Sequence, residues 1–354
     1  MTAPARVVLV TGVSQRLGSR LAARLVAEPD VERVIGVDTT PPRQDVLHAL
    51  GRTEFVRADI RNPLIAKVIA AADVDTVVHL SVSATPRGTG GRSLMKEINV
   101  IGTMQLLAAC QKAPSLRRLV AKSTTAIYGS SPRDPAAFTE DTQPKSTPRA
   151  GYAKDATEVE AYVRGFERRR PDVDVCTLRF ANFMGPRAES PLTSYFALPV
   201  VPQCLGFDPR LQFVHEDDAV EVLRRAVAGV LTGTVNVAGE GVLLLSQAIR
   251  RAGRVPLPVP AFAVTALGRA ARQGKLVDFS AEQVDFLLYG RVVDTTRLTE
   301  EFGYVPRRST VQAFDEFVRG AGLTFFVGPG TVETIERQLL NRLTSSPAAG
   351  AADG

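Results

Sequence analysis

An α/β fold, a doubly wound parallel sheet with a smaller lobe interleaved toward its C-terminal side, is predicted by three features of this sequence. Through the first half, short β-rich runs alternate with longer amphipathic runs. The β-rich runs are apolar throughout rather than alternating, as expected when helices cover both faces of a sheet. A glycine turn, Thr11-Gly12-Val13-Ser14-Gln15-Arg16-Leu17-Gly18, joins the first such run to the first amphipathic one. Strand–helix alternation of this kind implies right-handed crossovers between parallel strands.

The pattern predicts strands at Arg6–Thr11, Arg33–Asp38, Glu54–Arg57, Thr76–Leu80, Arg118–Ser123 and Asp174–Arg179. Helices are expected at Leu17–Ala27, Pro63–Ala71, Ser93–Gln111 and Gly151–Arg169. Arg168-Arg169-Arg170 falls at the end of the last helix, where cations favour the carbonyl end of the dipole. The second half is less regular. Arg187 to Pro209 reads as short apolar pieces broken by proline, Glu216–Val230 as a helix with Asp217 and Asp218 capping it, and Thr234–Val237 as a strand. Ser246 is expected to cap a helix through Ala252. Val255 to Pro260 alternates proline with apolar residues and cannot be helical. Ala261–Arg272 is apolar with arginines near its end, and either lines a pocket or rests on a membrane surface. A last helix is expected at Val332–Leu343, followed by a disordered tail from Ser345.

Composition narrows the function. The chain has 354 residues with 45% hydrophobic and 23% charged side chains, a balance that excludes a disordered chain. Three separated cysteines, Cys110, Cys176 and Cys204, argue against a disulfide scaffold and suit a reducing cytoplasm. His48, His79 and His215 are not spaced with cysteines as metal ligands, so no metal is expected. His79 reads as a satisfied core histidine. The net charge is +6, but all except seven of the 43 basic residues are arginine, scattered along the chain, and no nucleic-acid-binding motif accompanies them. No run approaches the length of a membrane span, and the N-terminus lacks a signal-peptide pattern.

The glycine turn carries the first functional signal. A strand, a tight turn and a helix N-terminus together offer free N–H groups and a positive dipole end to a pyrophosphate. Gly12 permits the turn and Gly18 close helix–sheet packing. Asp38, at the end of the second strand, can accept from both ribose hydroxyls and would repel a 2′-phosphate, which favours NAD over NADP.

Further segments, in order, resemble the extended short-chain dehydrogenase/reductase family, in its NAD-dependent epimerase/dehydratase branch, from Val7 to Val318. They are the turn itself, Asp59-Ile60, His79-Leu80-Ser81, Asn99-Val100-Ile101-Gly102-Thr103 and Ser123-Thr124-Thr125-Ala126-Ile127-Tyr128-Gly129. Arg179 with Asn182 and Gly185-Pro186, Phe213 to Asp218, Asn236 to Gly239, Asp294 to Arg297 and Gly303 to Pro306 complete the set. The resemblance implies a Rossmann-type domain over 1–182, a substrate lobe over 183–330 interleaved with the last sheet elements at about 213–239, and a C-terminal helix and tail over 331–354. It implies cofactor contacts at Gly12, Gln15, Arg16, Leu17, Gly18, Asp38, Asp59, Ile60, Leu80, Ser81, Asn99, Ser123 and Tyr152, with Asn99 mainly fastening the active-site helix or its neighbouring strand. Thr124 would orient the substrate oxygen and Tyr152 act as general acid or base. A homodimer through the helices that include Ser93–Gln111 and Gly151–Arg169 is implied as well.

Three departures qualify this expectation. The family's lysine, four residues after the tyrosine, lowers the phenol pKa; here that position is Ala156. Lys154 could replace it only if the helix began after Lys154, since two residues is about 200° of helix. The middle glycine of the turn is Gln15, whose side chain crowds the pyrophosphate approach, although its amide could bond phosphate and Arg16 could add charge. Sugar-nucleotide members often carry an arginine just before the phenylalanine-valine pair; here Leu211 stands there, after Arg210. The expected function is thus an NAD-dependent oxidoreductase, epimerase or dehydratase acting on a hydroxylated small molecule, such as a nucleotide sugar. The alternatives are an NAD-binding sensor with little turnover and an interaction protein with a decayed cofactor site.

Overall fold

The computed structural model describes residues 6–42, 44–47, 50–84, 91–143, 148, 151–229, 231–260 and 281–323. The central sheet contains β1 (Val7–Thr11), β2 (Arg33–Asp38), β3 (Glu54–Arg57), β4 (Thr76–His79), β5 (Arg118–Thr124) and β6 (Asp174–Phe180). The second half adds β7 (Asn182–Met184), β8 (Val200–Cys204), β9 (Arg210–Leu211), β10 (Phe213–His215), β12 (Leu243–Leu244) and β13 (Val255–Val259), which pair outside the central sheet, and β11 (Gly233–Val237), which joins it beside β6. Seven parallel strands form the sheet in the order β11-β6-β5-β4-β1-β2-β3. The chain winds outward from β1 to β3, then returns to β4 on the other side of β1. That reversal opens a crevice at the carboxyl ends of β1 and β4, where ligands of such sheets bind.

The apolar runs behave as double-sided strands should. Val8 and Val10 of β1 face one core layer with Leu21, Leu25 and Val222, whereas Leu9 faces the other with Ile35, Leu106 and Phe166. A third cluster, around Tyr195, Phe196, Phe213 and Phe314, is the core of the lobe. The expected helix over Ser93–Gln111 is a composite: Gly91–Lys96, a π-helical Glu97–Gly102 and Thr103–Gln111. A side chain at Gly102 would stand 2.7 Å from Ile60, so this glycine lets Ile60 pack beneath the wide turn.

The second half is more ordered than its sequence suggested. Between Arg187 and Pro209 a capping box starts the helix Pro191–Ala197: the Ser190 hydroxyl accepts from Thr193 N–H at 3.1 Å, and the Thr193 hydroxyl accepts from Ser190 N–H at 2.8 Å. The proline-rich Val255–Val259 is a strand, paired parallel to β8, a partner some fifty residues away. Ser246 does not cap its helix. The helix runs Leu245–Arg251 behind Leu244, and Ser246 bonds the Asp208 carboxylate at 2.8 and 2.7 Å. Nor do Asp217 and Asp218 cap Glu216–Ala228: the cap is His215, whose Nδ1 accepts from Asp217 N–H at 3.1 Å. Asp217 pairs with Arg20, and buried Asp218 accepts from the Tyr304 hydroxyl at 2.6 Å and from the Arg307 and Arg308 N–H groups. The expectations for Ala261–Arg272, Val332–Leu343 and the tail lie outside the described residues. Among the described residues no helix is long and apolar enough to cross a membrane.

A buried polar network ties the β5 and β6 side of the sheet to β11 and to the Gly151–Arg169 helix. Arg179 on β6 forks onto Glu160 of the Gly151–Arg169 helix at 3.0 and 2.8 Å and donates to the Tyr128 hydroxyl at 2.8 Å and to the Glu140 carbonyl at 2.9 Å. The Tyr128 hydroxyl in turn donates to Asn236 on β11 at 2.9 Å. Glu160 also accepts from the Ser123 hydroxyl at 2.5 Å. Removing one member strands a buried charge. The variant Glu160→Ala is expected to lose about 3–5 kcal/mol of stability; a urea midpoint near that of the parent would show that the pair is dispensable.

Candidate active site

The glycine turn sits where β1, β2 and β4 end. Gly12 adopts a φ of 71°, and a side chain on it would meet the Leu80 and Ser81 backbone at 3.2 Å. Its N–H donates to the Val37 carbonyl at 2.8 Å. Gly18 is more constrained, because a Cβ would lie 2.3 Å from the Gly12 carbonyl oxygen. Gly36, on β2, leaves space for Val13, whose side chain would be 2.7 Å from a Cβ there. These contacts bring the turn down onto the sheet, with the helix Arg16–Leu25 behind it. Gln15 has φ −85° and ψ 151°, extended geometry that does not require glycine, so the backbone tolerates the departure at this position.

Asp38 is held by the turn itself. Its carboxylate accepts from Ser14 N–H at 3.1 Å and from Thr39 N–H at 2.8 Å. Asp59 is gripped by Arg61 through the backbone N–H at 2.9 Å and the guanidinium at 2.7 Å, which holds its carboxyl below the usual range. Arg61 also reaches Glu97 at 2.8 Å, so the Asp59-Ile60 segment is tied to the π-helical turn. Arg16 does not stand ready to add charge at the turn: its guanidinium forks onto Glu216 at 3.0 and 3.3 Å.

His79 locks the crevice floor. The Thr103 hydroxyl donates to the Asn99 carbonyl at 2.5 Å and therefore accepts from His79 Nε2–H at 2.8 Å. His79 Nδ1 is then an acceptor, taking the Thr11 hydroxyl proton at 2.9 Å, and the Thr11 oxygen receives Leu80 N–H at 3.0 Å. This satisfied chain is what the sequence reading expected of His79. Asn99 also fulfils its expected fastening role: it pairs both ways with the Ser83 backbone at 2.9 and 3.0 Å and donates to Asp155 at 3.2 Å.

At the end of β5, the Thr124 side chain lies close enough to the Tyr152 phenol to favour its ionised form. Burial, reinforced by the Asp155 carboxylate, pushes that phenol above its ordinary range, and Thr124 only partly opposes this. The helix begins at Gly151, before Lys154, and Lys154 stands 3.8 Å from Glu158 on the outer side. Lys154 therefore does not take the missing lysine's place. Ala156 is 0% exposed, in the cluster that holds Tyr128, Phe138 and Phe180. Ser123, expected at the cofactor, turns its hydroxyl away to Glu160.

The sequence reading missed the charges around the start of this helix. Arg92 forks onto buried Asp155 at 2.5 and 2.8 Å and donates to the Gly151 carbonyl. Glu282, from the helix Ala281–Tyr289, accepts from Ala153 N–H at 3.3 Å, and its burial raises its pKa. Gly151, with φ 73°, makes that approach possible, since a Cβ would sit 2.6 Å from the carboxylate. Arg291 donates to the Gly129 carbonyl at 2.7 Å and supports the segment that follows Thr124. No spacing in the chain links Glu282 or Arg291 to residue 151; the helix's unusual glycine start was the one available signal.

The sequence model of the NAD dependent epimerase/dehydratase family matches residues 8–238. The chain belongs to that family. An uncharacterized protein of Mycobacterium tuberculosis, Rv0501, is 51% identical over 331 residues, covering 94% of this chain and 88% of that protein. A UDP-glucose 4-epimerase of Mycolicibacterium smegmatis is 28% identical over 234 residues, covering 62% of this chain and 72% of the epimerase. Among solved structures, a Thermotoga maritima UDP-glucose 4-epimerase with UDP-glucose superposes with a TM-score of 0.68 at 18% identity, covering 89% of this chain and 98% of that one. A Bacillus anthracis dTDP-glucose 4,6-dehydratase in complex with NAD gives 0.67 at 19% identity over 90% and 97% of the two chains. The family's NAD dependence and the Rossmann-like sheet agree with the sequence expectation.

The buried imidazole makes stability pH-dependent. Burial, with a smaller contribution from the Lys122 charge, lowers the His79 pKa from 6.5 to about 3. Between those values the unfolded chain binds the extra proton, so stability is lost as pH falls below 6.5, by about 1.4 kcal/mol per unit. Urea midpoints at pH 7 and 5.5 are expected to show this slope in the parent and a smaller one in His79→Asn; equal slopes would remove His79 as the source.

Proposed function

We propose that this chain is an NAD-dependent oxidoreductase, epimerase or dehydratase whose reacting centre is the Thr124–Tyr152 pair. The nearness of those side chains, at the carboxyl end of a strand two positions across from the glycine turn, carries the reading. The turn fits a dinucleotide: Gly12 takes a left-handed φ of 71°, a Cβ at Gly18 would collide with backbone, and the helix N-terminus behind them favours a pyrophosphate. Gln15, Arg16 and Leu17 border that place, Asp38 faces the adenosine ribose, and Asp59 with Ile60 borders the adenine. The Leu80-Ser81 backbone supports the middle of the dinucleotide, over the floor that Asn99 fastens. When bound, NAD supplies a hydride acceptor.

In this reading Thr124 holds the substrate oxygen by a hydrogen bond, and Tyr152 takes or returns its proton. The raised phenol pKa keeps Tyr152 protonated at neutral pH, so that it can give a proton but needs its pKa lowered before it can take one. The lobe over 183–330 supplies the substrate wall. Relatives are named for UDP-glucose and dTDP-glucose chemistry, which makes nucleotide sugars the first substrates to assay. The arginine position of the sugar-nucleotide pattern is occupied by Leu211, which is 0% exposed, while Arg210 turns to the Ala136 carbonyl. A second reading, an NAD-binding member with little turnover, is favoured by Ala156 and by the unlowered phenol.

Calorimetric titration is expected to show binding of NAD and not of NADP, since Asp38 would repel a 2′-phosphate. Tyr152→Phe is expected to retain NAD binding and to lose hydride transfer by about 10²–10⁴-fold. Absence of NAD binding would sink the proposal; full turnover in Tyr152→Phe would remove that residue's role.

A homodimer is proposed on the outer faces of the two helices beside the site. Ile101 is 44%, Met104 39% and Tyr162 38% exposed, large apolar side chains that a second copy would cover. Light scattering is expected to give twice the chain mass, and one chain mass for the double variant Ile101→Glu, Tyr162→Glu. A monomeric parent would refute this assembly.

A further inference from the structure

Tyr152 lies in the first turn of its helix, where the backbone N–H groups have no partner within the helix. Two side chains from other elements hold the peptide groups on either side of it. Arg92, from the helix Gly91–Lys96, donates to the Gly151 carbonyl at 2.5 Å and fixes the peptide before Tyr152. Glu282 accepts from Ala153 N–H at 3.3 Å and fixes the peptide after it. The two arrive from different sides. Arg92 is anchored on Asp155, which also accepts from Asn99 of the π-helical turn. Glu282 belongs to the helix Ala281–Tyr289, whose Phe286 is buried in the same cluster as Tyr195 and Phe196, the core of the lobe.

Stability alone does not account for Glu282. Among the described residues its Oε1 is buried without a hydrogen-bond partner, and such an atom is a cost to the fold. Its Oε2 gains only the one long bond to Ala153. Position 151 must also stay bare to admit it, since a Cβ there would lie 2.6 Å from Oε2. What the carboxyl does provide is an acceptor at the positive end of the helix dipole, one residue from Tyr152.

We propose that Glu282 is a positioning residue for Tyr152, through which the lobe sets the start of the helix that carries the phenol. The proposal rests on the role given to Tyr152 above. Arg92 holds the carbonyl of one neighbouring peptide from the sheet side, and Glu282 holds the N–H of the other from the lobe side. With both bonds made, the Tyr152 Cα has little freedom to turn, and the phenol keeps its place beside Thr124.

The test is nuclear magnetic resonance on the full chain with tyrosine labelled by ¹³C at Cζ, the Tyr152 signal being assigned by its loss in Tyr152→Phe. Glu282→Ala is expected to move the Tyr152 signal and to leave those of Tyr195 and Tyr304 in place. It is expected to speed hydrogen exchange at the Ala153 amide by about tenfold, with a urea midpoint close to that of the parent. Glu282→Gln keeps an acceptor oxygen and is expected to restore both the signal and the exchange rate. An unmoved Tyr152 signal in Glu282→Ala overturns the proposal. So does a Glu282→Gln that behaves as Glu282→Ala does. Movement of all three tyrosine signals, or a lowered urea midpoint, also overturns it, because Glu282 would then be holding the lobe together. Calorimetry with NAD on the parent keeps the two readings apart. A parent that binds no NAD refutes the oxidoreductase reading, whereas an unmoved Tyr152 signal in a chain that binds NAD removes only the role of Glu282.

Discussion

A buried guanidinium–carboxylate pair, Arg179 with Glu160, is the contact on which the site depends. It fixes the Gly151–Arg169 helix against β6, and through Tyr128 and Asn236 it fixes the segment after Thr124 against β11. Thr124 and Tyr152 lie on two elements that this network holds in register. Ionic pairs at such depth are seldom the most stabilising solution for a core. Here the pair serves geometry: it sets how the helix that carries the tyrosine meets the strand that carries the threonine.

The electrostatics of the crevice follow from what surrounds that pair. Asp155, one turn into the helix, is buried and balanced by Arg92, and Glu282 covers the helix start. The phenol therefore meets the Asp155 carboxylate and an apolar surrounding, with Ala156 where a cation would be expected. Such a tyrosine remains protonated until a cation or a bound ligand changes its surroundings.

Much of the fold was legible because parallel strands buried on both faces must be apolar throughout. β2 and β3 match the sequence reading residue for residue, as does the Gly151–Arg169 helix. The glycine turn was legible for a related reason, since only glycine fits at 12 and 18. The lobe was harder to read. β8 and β13 pair across a long separation, and each alone looks like a proline-broken loop. Caps were misplaced where a side chain found a stronger partner: Asp218 serves Tyr304 and two backbone N–H groups, and Ser246 serves Asp208.

What the sequence by itself determined is the parallel sheet, the turn at its switch point, and the residue types available to move a proton. Local sterics and hydrophobic periodicity act over a few residues, and the chain alone displays them. What only the tertiary structure decided is which charges meet. Arg16 forks onto Glu216, Arg92 onto Asp155, and Glu282 closes over residue 151. Those pairings join residues between 63 and 200 positions apart. The strength of an ionic contact depends on distance and burial, which no local pattern encodes.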